Sequence, residues 1–183
     1  MLIVGLGNPG AEYESTRHNA GFMALDELAH YYGVSWRTNK KLKAQIIACD
    51  DFYMIKPLTF MNESGAAVLA VMSYYKMLPQ LFGRTESAAL DLSDKLVVIH
   101  DELDLPLGEY RISADSRSAG HKGVQSIIDH LKTKKFKRIR IGIAPAEMKL
   151  PAEKYVLNRF DKNELSMIKT EIKTIVAQLV KIK

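Results

Sequence analysis

The chain opens Leu2-Ile3-Val4-Gly5-Leu6-Gly7-Asn8-Pro9-Gly10, an apolar run of strand character that empties into a glycine-rich turn, and Arg17-His18-Asn19-Ala20-Gly21 follows soon after. From about Asn19 to Tyr32 the residues Phe22, Leu25, Leu28, Ala29 and Tyr32 recur at helical spacing, and Gly33 stops the run. Strand, flexible turn and helix in this order commit the chain to an architecture in which strand ends meet helix starts. In open α/β sheets ligands settle at such strand ends. The lone imidazole of His18 stands there.

The remaining pattern repeats the alternation. Strands over about 42–49 and 52–56 are joined by Asp50-Asp51 as a hairpin turn, and Pro57 closes the second. A helix over about 63–76 carries Val68, Leu69, Met72 and Tyr75 on one face, with Asn62 as N-cap and Glu63 as first-turn acid. Residues 78–94 read as a long surface loop, and Lys95–His100 as the strongest strand, ending at Asp101-Glu102-Leu103-Asp104. A short strand near 109–113 leads to a polar loop over 114–120, and Val124, Ile127, Ile128 and Leu131 mark a helix. In 137–143, Arg138 and Arg140 alternate with Ile139, Ile141 and Ile143, which predicts one wet and one dry strand face. Asp161-x-x-Glu164 reads as a capping box for a closing helix bearing Leu165, Ile168, Ile172, Ile175, Val176 and Leu179. The expected class is α/β: a single domain over residues 1–183, with a central mixed sheet and helices on both faces.

A chain of 183 residues, 47% hydrophobic and 26% charged, builds a sizeable core without staples. Cys49 is the only cysteine, which excludes disulfide frameworks and cysteine-based zinc sites; in its apolar run it reads as a small buried hydrophobe. No apolar run approaches a membrane span and no signal segment precedes the first strand, so a cytoplasmic protein without a membrane partner is expected. Lysine and arginine number 26 against 21 acids, a net +5 that solubility alone would explain. Its distribution says more. Arg37, Lys40, Lys41 and Lys43 form one cluster, Lys132, Lys134, Lys135, Lys137, Arg138 and Arg140 a denser one, and Arg111, Arg117 and Lys122 flank a loop. Such clusters suit a polyphosphate partner such as RNA.

Gly5-Leu6-Gly7-Asn8-Pro9-Gly10 matches the dinucleotide fingerprint G-x-G-x-x-G, but Pro9 and the following Ala-Glu-Tyr-Glu-Ser delay the helix that the fingerprint needs inside the motif. Asp26 and Glu27 sit mid-helix, where the acid should end a second strand. No nicotinamide or flavin cofactor is expected. His18 alone could be a structural histidine. Asp101, at the end of a buried strand, is costly there unless hydrogen-bonded, and a carboxylate on one imidazole nitrogen leaves the other to take a proton from water. Asn8 and Asn62 lie at turns beside strand ends, where each is either a turn-former or an amide that holds a carbonyl or orients a water. No G-x-S-x-G elbow is present, and His18, His30, His121 and His130 show no ligand spacing, so no metal is expected. From the residues alone the reading ends at a His/Asp hydrolytic site near a basic surface.

The blocks Gly5–Gly10, Tyr13, Thr16–Gly21, Lys56-Pro57, Thr59-Phe60-Met61-Asn62-x-Ser64-Gly65, His100–Pro106, Gly120-His121 and Arg138–Ile143 together resemble the bacterial peptidyl-tRNA hydrolases, in order along the whole chain. The resemblance implies a monomeric, cofactor-free esterase that cleaves the bond joining a peptide to the terminal ribose of tRNA and recycles tRNA from aborted translation. It implies that His18 is the general base, that Asp101 orients it, and that Asn8 reads the blocked, amide-bearing end. Phe60, Met61 and Asn62 would line the peptide and acceptor-end groove, Tyr13 would pack near the terminal nucleotide, and Arg140 and Arg111 would meet tRNA phosphate. Two departures stand out: Lys122 occupies the place of a peptide-binding amide, and Ser113 that of a phosphate-contacting lysine. The connection over 78–94 also looks longer than the family's. Lys122 is expected at the rim of the peptide groove, within reach of acceptor-stem phosphates. The competing expectation is an RNA-binding relative without catalysis.

Overall fold

The structure, a computed structural model, describes residues 1–78, 90–115, 117–145 and 147–181. Its strands are β1 (Leu2–Gly5), β2 (Arg37–Asn39), β3 (Ala44–Ala48), β4 (Tyr53–Pro57), β5 (Leu96–Pro106), β6 (Tyr110–Ser113) and β7 (Lys137–Ala144). The helices are α1 (Ala20–Tyr31), α2 (Ser64–Tyr74), α3 (Lys122–Leu131), α4 (Ala152–Tyr155) and α5 (Lys162–Lys181). The strands form one mixed sheet in the order β2-β3-β4-β1-β5-β7-β6. β4, β1, β5 and β7 run parallel; β2, β3 and β6 are antiparallel to their neighbours.

Because side chains alternate along a strand, the sheet feeds two cores. Ile3, Ile47, Met54, Ile99 and Ile141 meet Leu25 and Leu28 of α1 and Ile168 and Ile172 of α5 on one face. Val4, Ile46, Ile55, Leu96 and Val98 meet Val68 and Met72 of α2 and Val124 and Ile127 of α3 on the other. Each such side chain contributes about 1.5–3 kcal/mol by leaving water. Helices therefore cover both faces, as expected.

The sheet order also places a site. β1 lies between β4 and β5, so the chain builds first to one side of it and then to the other, opening a crevice at the carboxyl end of β1. Two glycines bring α1 down onto that crevice. A Cβ on Gly5 would strike the Gly21 carbonyl oxygen, and one on Gly21 would strike that of Ile99. The closing helix is opened by the capping box: Asp161 Oδ1 accepts from the Glu164 amide at 2.9 Å, and Glu164 Oε2 from the Asp161 amide at 2.8 Å.

Several expectations are corrected. β5 runs on to Pro106, because β7 pairs with it through Glu102 and again at Pro106 across a register shift. Asn62 does not cap α2; a 3₁₀ turn over Met61–Glu63 leads into Ser64, whose Oγ donates to the Met61 carbonyl at 2.9 Å. Arg138 is not on a wet face but 1% exposed, since its side of β7 is roofed by the segment before α3; its guanidinium lies 4.7 Å from the Phe136 ring centroid and donates to the Arg117 carbonyl. That burial, aided by Arg140, lowers its pKa to about 10. Cys49 is only partly buried. Of the loop expected at 78–94, residues 79–89 lie outside the described residues, while Leu92 is fully buried and its amide donates to Lys135. The short β2 and α4 have too little periodicity to be seen in the sequence.

Candidate active site

Asn8 leaves the end of β1 in a fixed pose. Its backbone N–H donates to Asn19 Oδ1 at 2.8 Å, and Asn19 Nδ2 donates back to the Asn8 carbonyl at 3.0 Å. The Asn8 side-chain oxygen accepts from the Met61 amide at 2.9 Å. The oxygen being committed, what Asn8 offers to its surroundings is the NH₂ donor pair.

His18 sits in a 3₁₀ turn over Arg17–Asn19 at the foot of α1. Its backbone N–H donates to the Val156 carbonyl at 2.8 Å, and that of Arg17 to Asn158 at 3.1 Å. The Arg17 guanidinium fastens the turn further, reaching the carbonyls of Asn158 and Arg159 and both oxygens of Glu164 at 2.8 and 2.6 Å, and lying over the Tyr155 ring. The backbone carrying the imidazole is thus clamped by residues about 140 positions away in sequence.

The imidazole meets Asp101 at the end of the parallel part of β5. His18 Nδ1 is 3.0 Å from each carboxylate oxygen, and the Asp101 side chain is 2% exposed. A second imidazole completes the cluster: His121 Nε2 is 2.9 Å from Asp101 Oδ1. His121 is also the N-cap of α3, its Nδ1 accepting from the amides of Gly123 and Val124 at 3.2 and 3.3 Å. An Nδ1 that accepts two N–H groups carries no proton, so the His121 proton is on Nε2 and is donated to Asp101. With its other oxygen facing His18 Nδ1–H, the carboxylate leaves His18 Nε2 as the basic lone pair. Burial pushes the Asp101 pKa up, but His18 and then His121 overcome this and hold it far below the usual carboxylate range. His100 is buried on the α3 side, 4.7 Å from His121 between ring centroids; burial, then His121, keep its pKa well below the ordinary imidazole value. It stays neutral.

His18, Asp101 and His121 offer ligand atoms within 4.8 Å of one another, a metal-sized cluster that sequence spacing does not reveal. The cap works against its use. A metal on His121 Nε2 would shift the ring proton to Nδ1, against two backbone donors.

A cavity of about 550 Å³ opens over these groups. Asn8, Tyr13, His18, Phe60, Met61, Asn62, Asp101 and Lys122 all line it, so eight residues singled out from the sequence meet in one place. Phe60 is 59% exposed, an aromatic lip at the mouth. Arg140 and Arg111 are not part of the lining. They are opposed in the β6–β7 register at the adjacent sheet edge, and Arg140 Nε is drawn to the lining residue Glu102 at 2.8 Å. Lys122 does reach the rim, but its Nζ pairs with Glu153 of α4 at 2.8 Å, both side chains being largely exposed. The residues not singled out beforehand are His121, Asn19, Arg17, Glu102 and Glu153. Of these only His121 had a readable signal, standing directly before a helical run where a cap is required.

Known proteins match this chain along nearly its whole length. A family model described as peptidyl-tRNA hydrolase matches residues 2–182. The peptidyl-tRNA hydrolase of Brevibacillus brevis is 40% identical over 175 residues, covering 93% of this chain and 85% of that protein. That of Geobacillus kaustophilus is 43% identical over 166 residues, covering 89% and 82%. Among solved structures, the crystal structure of peptidyl-tRNA hydrolase from Acinetobacter baumannii superposes with a TM-score of 0.81 at 32% identity, over 96% of this chain and 84% of that one. A match that runs from β1 to the end of α5 takes in every residue of the His18–Asp101–His121 cluster, and the chain belongs to the peptidyl-tRNA hydrolase family.

Proposed function

We propose that this protein hydrolyses the ester joining a peptide to the terminal ribose of tRNA, acting as one unit over residues 1–183, as a monomer in the cytoplasm. The observation that carries the reading is the shared cavity: an imidazole with one nitrogen tied to a buried carboxylate stands beside an amide whose oxygen is already engaged. His18 Nε2 takes a proton from water as that water attacks the ester carbonyl. Asp101 keeps the imidazole in the reactive tautomer and stabilises the imidazolium that forms. The Asn8 NH₂ donates to a carbonyl of the peptide, a contact that a free ammonium does not offer. Phe60, Met61 and Asn62 form the wall along which the peptide and acceptor end lie, and Tyr13 meets the terminal nucleotide. Arg111 and Arg140 hold tRNA phosphate at the neighbouring edge; two guanidiniums directly opposed across strands repel, and Glu102 or a phosphate relieves that repulsion. Among the described residues no helix is long and apolar enough to cross a membrane.

The testing experiment is release of free tRNA from N-acetyl-aminoacyl-tRNA in chelator-containing buffer. Turnover abolished by His18→Ala supports the reading. Binding of tRNA with no turnover in wild type would establish the non-catalytic alternative instead.

A further inference from the structure

We propose that the hairpin turn between β2 and β3 is a second RNA-backbone contact, made by Lys40, Lys41 and Lys43 on the side of the pocket opposite Arg111 and Arg140. The inference rests on the tRNA reading above and adds to it a docking surface outside the cavity lining. Its basis is where the turn lies, how it is held, and what its charges lack.

β3 runs antiparallel to β4 with Ala44 opposite Pro57, so the turn before β3 sits at the carboxyl end of β4, the same end of the sheet as the site. The Leu58 amide donates to the Lys43 carbonyl at 2.7 Å, joining the turn to the loop that carries Phe60 and Met61 into the cavity. From β3 to β7 are four strand spacings, about 19 Å, with the crevice of β1 between them.

The turn is built rather than loose. Asn39 Oδ1 accepts from the Leu42 amide at 3.1 Å, Leu42 is buried in the α2-side core, and Lys43 holds a φ of 50°. With Leu42 plugged inward, Lys40, Lys41 and Lys43 are all exposed. The denser basic cluster is partly compensated, Lys134 facing Asp115 and Lys137 facing Asp94 at 3.5 Å each. Lys122 and Arg140 are likewise paired. Among the described residues none of the three turn lysines has a carboxylate within ion-pair distance.

Three uncompensated ammonium groups carried on a fixed turn beside a pocket fit a ligand whose charge is constant. The peptide of a peptidyl-tRNA varies in sequence and carries no fixed charge, whereas its RNA carries one phosphate per nucleotide. The chemistry therefore selects the RNA.

The experiment compares wild type with Lys40→Gln/Lys41→Gln/Lys43→Gln on N-acetyl-aminoacyl-tRNA, on an N-acetyl-aminoacyl-adenosine lacking the tRNA body, and in binding of deacylated tRNA across a salt series. Each lost phosphate contact lowers the slope of log affinity against log salt by about 0.7–0.9. Two or three contacts therefore lower it by about 1.4–2.7, and KM for the tRNA substrate rises while kcat/KM for the small substrate is unchanged. An unchanged salt slope overturns the proposal. Equal loss on both substrates also overturns it, because the turn would then act through the fold. A loss confined to small substrates with acidic peptides would assign the turn to the peptide instead. Should wild type hydrolyse neither substrate, the hydrolase reading fails, and the deacylated-tRNA slope still decides the RNA contact.

Discussion

Substituting His121 separates two jobs done by one ring. Its Nδ1 caps α3 through the amides of Gly123 and Val124, and its Nε2–H donates to buried Asp101. His121→Asn keeps a strong capping side chain but is too short to reach the carboxylate; His121→Ala removes both contacts. A hydrogen bond to a charged group contributes about 1.5–3 kcal/mol, which both variants lose. Loss of an N-cap adds about 1 kcal/mol, which only the alanine variant loses. His121→Ala should therefore melt below His121→Asn by about 2–4 °C, the shift expected per kcal/mol for a chain of this size. Both should lower kcat, because Asp101 then has one imidazole partner rather than two and holds His18 less firmly. Thermal melts and kcat on N-acetyl-aminoacyl-tRNA make the measurement. Equal melting of the two variants would remove the capping role, and wild-type kcat in both would show that His18 alone positions the carboxylate.

Other outcomes follow from the same geometry. His18→Ala should lower turnover by roughly 10²–10⁴-fold with tRNA binding retained. Asp101→Asn should lose less, since an amide oxygen at the Oδ1 position still meets both imidazoles, while the charge is removed and an NH₂ replaces the oxygen that also faces His18 Nδ1; equal losses would give the carboxylate more than an orienting role. Asn8→Asp keeps an acceptor for the Met61 amide but replaces the outward donors, so the ratio of kcat/KM for acetylated over free aminoacyl-tRNA should fall. Glu153→Gln should tighten tRNA binding at low salt by freeing Lys122, and Lys122→Asn should weaken it; no change in either would make the pair a solvated rim. His100 sets a pH dependence: it resists protonation when folded but titrates near 6.5 when unfolded, so the unfolded state binds more protons as pH falls below that value. Stability should drop by up to about 1.4 kcal/mol per pH unit there. Denaturant midpoints between pH 7.5 and 4.5 should show a shallower slope for His100→Gln. Asp101, whose folded pKa is depressed, contributes stability above its unfolded value near 3.8 that is lost only at lower pH.

The parts legible in the sequence were those with a local cause. The helix ending at Gly33, the hairpin at Asp50-Asp51 and the capping box at Asp161 each announce themselves within a few residues, and each is present. The same local logic misled at Arg138, where alternation gives the correct side of the strand but not what covers it. His121 is the instructive omission. Its cap is local, but its contact with Asp101 exists only because the start of α3 packs beside β5. Arg17 and Glu164 could not have been paired from spacing at all, since they meet only after the chain closes on itself. Lys122 at the cavity rim was foreseen; its neutralisation by Glu153 was not, because α4 has no periodic signal.

The clamp on Arg17 bears on when the protein can act. The turn holding His18 receives its backbone partners from Val156 and Asn158, and its guanidinium anchor from Glu164. Glu164 is in turn fixed by the cap of α5. During synthesis the base emerges before its seat, which is missing until the chain has grown past residue 164. Throughout that interval the growing chain is itself esterified to a tRNA, the kind of bond its finished pocket is proposed to open. The order of the fold thus completes the seat of the base only after the segment from Val156 to Glu164 has been added.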